Sequence, residues 1–385
     1  MAFLPFYIPE NRQLKIAILG GGYAGISAMT SILRYMPEAI ITLIDPRSQH
    51  VKITHLHETF RYPLEDILMP FAALEERFGC RHVCTELTPQ ENTLYQWQND
   101  KSISLGDQVI EFDYLLIASG AAGKKMDVSP DVVTLQDFIS LSGADLLSSR
   151  LDASSAQDQP ISVIGGGATG IQFLFEIALF LRRKKLKNRL RLVDGGDRVL
   201  KQFPEGFSSY TQSRMNDQGI DFHPNTLYHG QVDGRIFLEE RGGRGRFDLP
   251  SSMSFMFLGK KPENIFPTNT FGQVLVNEFP LENIFAAGDC SSYNKYGSNV
   301  MSAQSAVRKG KLCARNILRH SGRIKVLEPY LHRDLGYVVN LGPSDAVGWL
   351  ATEGNVVTGM PALAIKEVVE IQYDLLLTGT DTYLI

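Results

Sequence analysis

Two stretches of this chain follow nearly the same pattern. Residues 17–26 read AILGGGYAGI and residues 163–172 read VIGGGATGIQ. Each stretch begins with apolar residues typical of a buried strand, enters a turn of the form G-x-G-x-x-G, and continues into a helix-like segment. A glycine turn of this form between a strand and a helix is typical of a βαβ unit with parallel strands. We therefore predict an α/β fold built from two doubly wound, Rossmann-like domains.

The first unit has every part of a dinucleotide-binding turn. Gly20 permits the tight turn, Gly22 lets a pyrophosphate approach the backbone, and Gly25 lets the helix pack on the strand. The next apolar segment, residues 40–44, ends in Asp45, whose carboxylate can accept a ribose hydroxyl. The helix N-terminus supplies amide donors and the positive end of its dipole. This unit therefore predicts a bound dinucleotide.

The second unit repeats this layout with Gly165, Gly167 and Gly170, and its next strand ends in Asp194. An acid at this position accepts a free 2'-hydroxyl and repels a 2'-phosphate, so NADH is favoured over NADPH. Arg198, four residues later, could soften that preference. Two dinucleotide sites suit a resident flavin and a visiting nicotinamide, because one cofactor stays bound while the other delivers hydride and leaves.

Composition limits the possible partners and the compartment. The chain has 385 residues, 44% of them hydrophobic, and a formal net charge of -4, so it is long enough for two or three domains and has no overall attraction to nucleic acid. We predict no nucleic-acid partner. The N-terminus lacks a secretory signal and no run of about 18 apolar residues occurs, so we expect a cytoplasmic protein, with peripheral contact at the cytoplasmic face of a membrane left open.

Four cysteines in a chain of this length indicate a reducing compartment rather than a disulfide framework. Cys80 and Cys84 flank His82 in CRHVC, but no second ligand pair with metal spacing follows. We therefore predict no metal site.

Two further segments are typical of strands that end at a ligand, FDYLLIASGAAG at residues 112–123 and NIFAAGDCSS at residues 283–292. Asp289 can bond a hydroxyl of the ligand, and a helix from about Ser302 can direct its N-terminus at an electron-rich ring edge. A buried strand end with a helix cap would give the same pattern.

The order of these motifs resembles the flavoproteins with two dinucleotide-binding domains, most closely the type II NADH dehydrogenases and their apoptosis-inducing-factor-like quinone reductase relatives. The resemblance covers almost the whole chain. The segments that carry it are GGGYAG with Asp45, ITHLHET (53–59), LLIASG (115–120), GGGATG with Asp194, LGKKPEN (258–264), IFAAGDC (284–290), SAQSAVRKG (302–310) and LGYVVNLGPSDAVG (335–348).

The resemblance implies FAD in the first site, NADH in the second, and electron transfer to a quinone-type acceptor. It places the FAD contacts on Gly20, Gly22, Tyr23, Ala24, Gly25, Asp45, Pro46, Arg47, Thr54, Cys84, Ala118, Ser119, Gly120, Gly288, Asp289, Ala303 and Gln304. It places the NADH contacts on Gly165, Gly167, Ala168, Thr169, Gly170, Glu176, Asp194 and Gly259. Thr54 would lie near the isoalloxazine ring, and Ala303, Gln304 and Gln172 are the expected catalytic residues.

Two departures limit what the resemblance implies. Gln172 stands where the family usually has glutamate, so an amide that cannot ionise replaces a carboxylate. Arg308 stands where the family has the second glutamine of its acceptor pocket, which Gln304 would share. A fixed cation there suits an anionic acceptor at least as well as a neutral quinone, and a solvated position on the outer face of the helix is an equally good alternative.

The C-terminus departs as well, because it lacks the Trp-, Lys- and Arg-rich amphipathic helix of membrane-bound relatives. We predict an FAD domain at 1–122 and 253–327, an inserted NAD(P)H domain at 123–252, and a C-terminal segment at 328–385 that packs on the core, faces a second copy in a homodimer, or faces a membrane. Two alternative functions stay open: a regulatory NADH-binding flavoprotein with slow turnover, and an enzyme like the sulfide:quinone reductases with a non-quinone acceptor. No CxxxxC pair of the disulfide reductases is present.

Overall fold

The structure is a computed structural model that describes residues 8–11, 13–123, 129–153, 159–243, 245–294 and 296–383. Its α-helices are α1 (Tyr23–Tyr35), α2 (Phe71–Phe78), α3 (Glu91–Asp100), α4 (Asp137–Ser140), α5 (Gly143–Ala153), α6 (Ala168–Arg183), α7 (Glu205–Asp217), α8 (Ala303–Ser321) and α9 (Met360–Leu377). Short 3₁₀ helices lie at Ile53–Phe60, Leu64–Ile67 and Gly288–Cys290.

The larger sheet holds the first glycine turn. Its eight strands lie in the order Ser291–Tyr293, Phe266–Thr268, Gln273–Val276, Phe279–Ala286, Tyr114–Ile117, Lys15–Leu19, Ile40–Ile44 and Arg81–Val83. The strand Lys15–Leu19 is parallel to both of its neighbours, Ile40–Ile44 and Tyr114–Ile117. The strand order therefore reverses at this strand, and Gly20 follows its carboxyl end, which is where open α/β sheets bind ligands.

The second sheet repeats that arrangement. Its five strands lie in the order Val132–Thr134, Met253–Met256, Ile161–Ile164, Leu190–Val193 and Asp221–His223. All four pairings are parallel. Ile161–Ile164 has later strands on both sides, and Gly165 follows its carboxyl end. The predicted α/β fold with two doubly wound nucleotide-binding units is confirmed.

Smaller sheets complete the described chain. One three-stranded antiparallel sheet consists of Thr226–Val232, Arg235–Glu240 and Arg246–Pro250. A second one consists of Gly336–Asn340, Ala346–Leu350 and Thr352–Thr358. Two-stranded ladders pair Gln49–Val51 with Leu68–Pro70, Ser102–Leu105 with Gln108–Glu111, and Ala122–Gly123 with Lys260–Lys261.

One strand bears on the predicted domain limits. The strand Met253–Met256, expected to open the second part of the FAD domain, pairs in parallel with Ile161–Ile164 and so belongs to the second sheet. An apolar run of this kind predicts a buried strand but not which of two similar sheets receives it. After this strand the chain returns to the segment that follows Tyr114–Ile117 of the larger sheet, because Lys260–Lys261 pairs with Ala122–Gly123. The domain limits stay predictions.

The C-terminal helix α9 packs on the first unit. Tyr373, Leu376 and Leu377 are buried in the same apolar cluster as Tyr23 and Ile26. The opposite face of α9 keeps Met360, Val368 and Ile371 exposed. Helix α9 therefore packs on the core, which is one of the placements that the sequence suggested for the C-terminal segment. Among the described helices, none combines the length and the apolar character needed to cross a membrane.

Candidate active site

The two glycine turns, residues 20–25 (the first cradle) and 165–170 (the second cradle), have matching backbones. Gly20 and Gly165 adopt left-handed φ angles of 105° and 107°. A Cβ atom would lie 2.2 Å from Ala118 O at Gly20 and 2.4 Å from Phe257 O at Gly165. Both the conformation and the space therefore require glycine at the first position of each cradle.

The other glycines divide into packing positions and open positions. A Cβ at Gly25 or Gly170 would lie 1.9 Å from the carbonyl oxygen of the first glycine of its own cradle. At Gly22 a Cβ would meet nothing within 4 Å, and at Gly167 its nearest neighbour would be Gln202 Nε2 at 3.8 Å. Neither Gly22 nor Gly167 caps its helix with a side chain. Each cradle thus fits a pyrophosphate against uncapped helix amides.

Asp45 closes the first cradle. Its Oδ2 accepts the Gly21 amide at 2.7 Å, and Arg47 donates to the two carboxylate oxygens from Nε at 2.9 Å and Nη2 at 2.8 Å. Burial by itself raises the pKa of Asp45, but the hydrogen bonds and charge of Arg47 hold that pKa below its usual value. A ribose hydroxyl that binds Asp45 must therefore share this carboxylate with Arg47.

Asp194 holds the second cradle in the same way. Its two carboxylate oxygens accept the amides of Gly166 and Gly196, each at 2.6 Å. The residue is partly exposed, and among the described residues no cation pairs with it. The Arg198 guanidinium instead donates to Ser208 Oγ and to the carbonyl oxygens of Lys201 and Phe203. Arg198 therefore does not neutralise Asp194 in this structure.

The predicted cofactor residues line the carboxyl ends of the parallel strands. In the larger sheet these are Gly20, Gly22, Tyr23, Ala24 and Gly25, then Asp45, Pro46 and Arg47, then Cys84, then Ala118, Ser119 and Gly120, then Gly288 and Asp289. In the second sheet they are Gly165, Gly167, Ala168, Thr169 and Gly170, then Asp194, then Gly259. Each group therefore shares one sheet edge, as an extended dinucleotide requires.

Helix α8 starts beside the first cradle. It crosses α1 closely, because a Cβ at Gly310 would lie 2.2 Å from Ala24 O, and Ser27 Oγ donates to Val307 O at 3.2 Å. The predicted catalytic residues Ala303 and Gln304 are its first two residues and are partly exposed. The positive end of the α8 dipole therefore lies near the first cradle, and Ser302 at the N-cap accepts the Ser305 amide.

Lys309 is a candidate site residue that the sequence reasoning missed. Its side chain is almost fully buried, and its ammonium donates to the carbonyl oxygens of Gly288 and Ser291 and to Asn299 Oδ1 at 3.2–3.5 Å. Its position in SAQSAVRKG, next to Arg308, was the available signal. Lys309 ties the turn that carries Asp289 to helix α8.

The segment Ile53–Phe60 lies between the two cradles. Thr54 Oγ1 and Tyr23 OH, at the start of α1, are 2.9 Å apart. The ring of His57 contacts the ring of Phe173 on α6, with centroids 6.3 Å apart. This segment therefore contacts α1, which follows the first cradle, and α6, which follows the second cradle. Thr54 lies close to the first cradle.

Glu176 has a partner that the sequence did not predict. Its carboxylate is fully buried within α6 and pairs with Arg61, which lies just past Ile53–Phe60. Burial raises the pKa of Glu176 although Arg61 opposes this. The Glu176 side chain does not face an open cleft. A contact between Glu176 and NADH stays a prediction. Gln172, one turn earlier on α6, is partly exposed.

His55, Glu58 and Glu370 form a cluster with the spacing of metal ligands among the described residues. The Lys366 ammonium already lies in it, 2.7 Å from Glu370 and 3.5 Å from Glu58. Burial opposes ionisation of Glu58, but His55, His57 and Lys366 together hold its pKa well below the usual value. Because the Lys366 ammonium already pairs with both carboxylates, a network of ion pairs explains this cluster better than a divalent metal site does.

The cations along α8 are engaged inside the protein. Lys311 pairs with Asp381 at 2.8 Å, and Arg315 pairs with Glu328 at 2.6 Å. Arg308 is half-buried, and burial lowers its pKa although nearby tyrosines and Asp334 oppose this. The acceptor role of Arg308 stays a prediction, and the residue does not lie on a fully solvated face.

Comparisons with known proteins agree with this geometry. The family of pyridine nucleotide-disulphide oxidoreductases matches residues 14–310. A type II NADH:quinone oxidoreductase of Staphylococcus aureus is 25% identical over 399 residues, which covers 94% of this chain and 95% of the relative. Among solved structures, NDH2 from Plasmodium falciparum in complex with NADH has a TM-score of 0.76 at 15% identity, covering 96% of both chains.

The sulfide:quinone oxidoreductase from the bacterium Aquifex aeolicus has a TM-score of 0.77 at 15% identity, covering 96% of this chain and 93% of that one. At such identities the structural likeness shows a common fold. The resemblance inferred from the motifs is confirmed.

Proposed function

This chain belongs to the pyridine nucleotide-disulphide oxidoreductase family, and we propose that it is an FAD-dependent oxidoreductase that takes hydride from NADH and passes electrons to a quinone-type acceptor. The observation that carries this proposal is the pair of matching cradles, one on each parallel sheet. Two cradles of equal geometry allow one cofactor to stay bound while a second one exchanges.

The first cradle suits the resident cofactor. Asp45 is buried there, and the turn that carries Asp289 is fastened to α8 by Lys309. Gly20, Gly22, Asp45 and Asp289 would hold FAD. When bound, FAD would accept hydride from NADH and pass two electrons to the acceptor.

The second cradle suits NADH. Asp194 is partly exposed and accepts two backbone amides, which keeps its carboxylate oriented. A carboxylate there favours a free 2'-hydroxyl and repels a 2'-phosphate. Since Arg198 is directed at Ser208 and Lys201 instead, NADH is preferred over NADPH.

The protein contributes orientation and electrostatics more than acid–base chemistry. The helix start at Ala303 and Gln304, both partly exposed, would stabilise negative charge that develops on a ring edge nearby. Gln172 can hydrogen-bond a nicotinamide but cannot donate a proton as an acid. The residues on both cradles hold the reacting groups in position, which by itself accounts for much of the acceleration of a hydride transfer.

A quinone is the acceptor class that the relatives favour, since the Staphylococcus aureus protein is named an NADH:quinone oxidoreductase. Sulfide oxidation has less support. Cys290 and Cys313 are both buried, and burial raises the pKa of both thiols, to about 12 for Cys313. Such thiols are poor nucleophiles because the thiolate is the reactive form.

We place the enzyme in the cytoplasm, where free thiols persist: all four cysteines are unpaired. The exposed apolar residues of α9, Met360, Val368 and Ile371, are the surface through which it would touch a membrane or a second copy. Flotation of the purified protein with anionic vesicles and its molar mass in solution would separate these two uses.

Anaerobic mixing of the flavin-loaded protein with NADH tests the proposal. Rapid bleaching of the flavin absorbance is expected, and the Gly167→Ala variant, whose added Cβ has Gln202 Nε2 at 3.8 Å as its nearest neighbour, should keep its flavin but bleach slowly. Bound flavin without fast bleaching in the wild type would support the regulatory alternative instead. Steady-state rates with a panel of quinones then test the acceptor, and the absence of turnover with every quinone would refute that part.

A further inference from the structure

We propose that Tyr373 and His50 are positioning residues of the first cradle, through which the C-terminal helix α9 holds FAD in place. The inference rests on the proposed function in one respect, since it takes the first cradle as the FAD site. It assigns a role to a helix that lies more than 300 residues away from that cradle in sequence.

A hydrogen-bonded chain runs from α9 to the first cradle. Tyr373 OH lies 3.0 Å from His50 Nε2, and His50 Nδ1 lies 3.0 Å from the carbonyl oxygen of Gly21. Because a carbonyl oxygen only accepts, Nδ1 carries the proton and Nε2 of the neutral ring accepts from the phenol. Burial lowers the pKa of His50 to about 3, which keeps the ring neutral and the direction of the chain constant.

Gly21 transmits this chain to the ligand side of the cradle. Its amide donates to Asp45 Oδ2 at 2.7 Å while its carbonyl accepts from His50. The Gly21 carbonyl and the Gly22 amide belong to one planar trans peptide, in which C=O and N–H point in opposite directions. The bond to His50 therefore directs the Gly22 N–H away from the histidine. Gly22 is the position where the structure leaves space for a phosphate.

The ring of Tyr373 contacts the other side of the same turn. It packs on Tyr23, the first residue of α1, with ring centroids 4.4 Å apart, and Tyr23 OH bonds Thr54 Oγ1. Helix α9 is itself fastened to this unit, since Asp374 pairs with Lys52 at 3.0 Å. Tyr373 thus supports the residues before and after Gly22.

The second cradle does without such a chain. There the carbonyl of Gly166, which corresponds to Gly21, accepts a backbone amide from Leu200 at 2.7 Å. That bond comes from a loop of the same sheet unit and needs no distant helix. The difference suits a resident cofactor in the first cradle, because among the described residues the hydrogen-bonded chain from α9 ends at Gly21, whereas Gly166 is held by its own loop.

The test compares Tyr373→Phe, which removes the hydroxyl and keeps the ring, with Tyr95→Phe as a control that removes a hydroxyl bonded to Val276 O. We expect Tyr373→Phe to weaken FAD binding about tenfold, with the NADH affinity of the holoenzyme unchanged and the ³¹P resonances of the bound pyrophosphate shifted. His50→Gln, whose amide can both donate and accept, should lose less affinity than His50→Ala.

Wild-type FAD affinity and unshifted ³¹P resonances in Tyr373→Phe would overturn the inference, as would equal loss of thermal stability with and without FAD. If the wild-type chain itself binds no FAD, the proposed function falls and this inference falls with it. If the wild type binds FAD and Tyr373→Phe binds it equally well, the inference alone falls.

Discussion

Arg61 Nε lies 3.0 Å from each of the two carboxylate oxygens of Glu176. The carboxylate is fully buried and the guanidinium nearly so. Glu176 belongs to α6, which follows the second cradle, whereas Arg61 follows the segment Ile53–Phe60 beside the first cradle. This ion pair therefore joins the surroundings of the two predicted nucleotide sites.

Removing Arg61 should destabilise the protein strongly. Arg61→Met leaves the Glu176 carboxylate buried without its cation, which costs about 3–5 kcal/mol of unfolding free energy. Because the variant carboxylate prefers to be protonated, this loss should shrink as the pH falls. Urea denaturation of wild type and variant at neutral and mildly acidic pH measures both effects. Lys15→Met, which removes an exposed pair with Glu111, is the control and should change stability far less.

Adding one methyl group to different glycines should separate folding from binding in the first cradle. Gly25→Ala places a Cβ 1.9 Å from Gly20 O and should lower both stability and FAD affinity. Gly22→Ala meets no protein atom within 4 Å, so the melting temperature without FAD should stay unchanged while FAD affinity falls about tenfold or more. Calorimetry with and without FAD checks this contrast, and equal FAD affinity of Gly22→Ala and wild type would contradict it.

Asp194 should determine the choice of nicotinamide cofactor. Asp194→Asn keeps an acceptor for one of the two amides of Gly166 and Gly196, places its NH₂ group against the other, and removes the charge that repels a 2'-phosphate. The ratio of kcat/KM for NADH over NADPH should fall by roughly tenfold. Arg198→Ala is the matched control, and because Arg198 is directed at Lys201 and Phe203, it should leave that ratio unchanged. A large change in the control and none in Asp194→Asn would reverse the assignment.

Arg308 should influence which acceptor is reduced. Its cation is half-buried near the start of α8, so Arg308→Gln removes a charge that favours acceptors with an anionic group. Rates with neutral quinones should hold or rise relative to those with carboxylate-bearing quinones. Paired steady-state measurements with the two acceptor types give this ratio, and an unchanged ratio would exclude Arg308 from the acceptor pocket.

Buried histidines should make the fold sensitive to acid. Burial lowers the pKa of His50 to about 3 and that of His57 well below its ordinary value. Below about pH 6.5 the unfolded chain binds protons at these two positions before the native protein does, so stability falls as pH falls, by up to about 1.4 kcal/mol per pH unit for each histidine. His50→Gln should show a shallower loss between neutral pH and about pH 4, and parallel curves would refute this.

The nucleotide turns could be predicted because their requirements are local. Gly20 and Gly165 adopt left-handed φ angles, and Asp45 and Asp194 lie at the ends of adjacent strands. A strand, a glycine turn, a helix and a terminal acid leave the same signature in any chain, since each depends on neighbours within about 30 residues. The α/β fold and the two dinucleotide sites follow from these segments alone.

Other parts of the candidate site depend on contacts between distant segments. The strand Met253–Met256 has the same apolar pattern whichever sheet it joins, and its pairing with Ile161–Ile164 shows that it belongs to the second sheet. Lys309 reads as one more cation on an amphipathic helix until its three oxygen partners are known.

The sequence by itself determined that two dinucleotides can bind, because glycine conformation and strand order are encoded in short segments. Tertiary structure decided which residues support those sites. Glu176 meets Arg61 across 115 positions, and His50 meets Tyr373 across 323 positions. A buried charge or hydrogen-bond donor needs a partner in space rather than in sequence, and only the folded packing of α6, α9 and the segment Ile53–Phe60 supplies these partners.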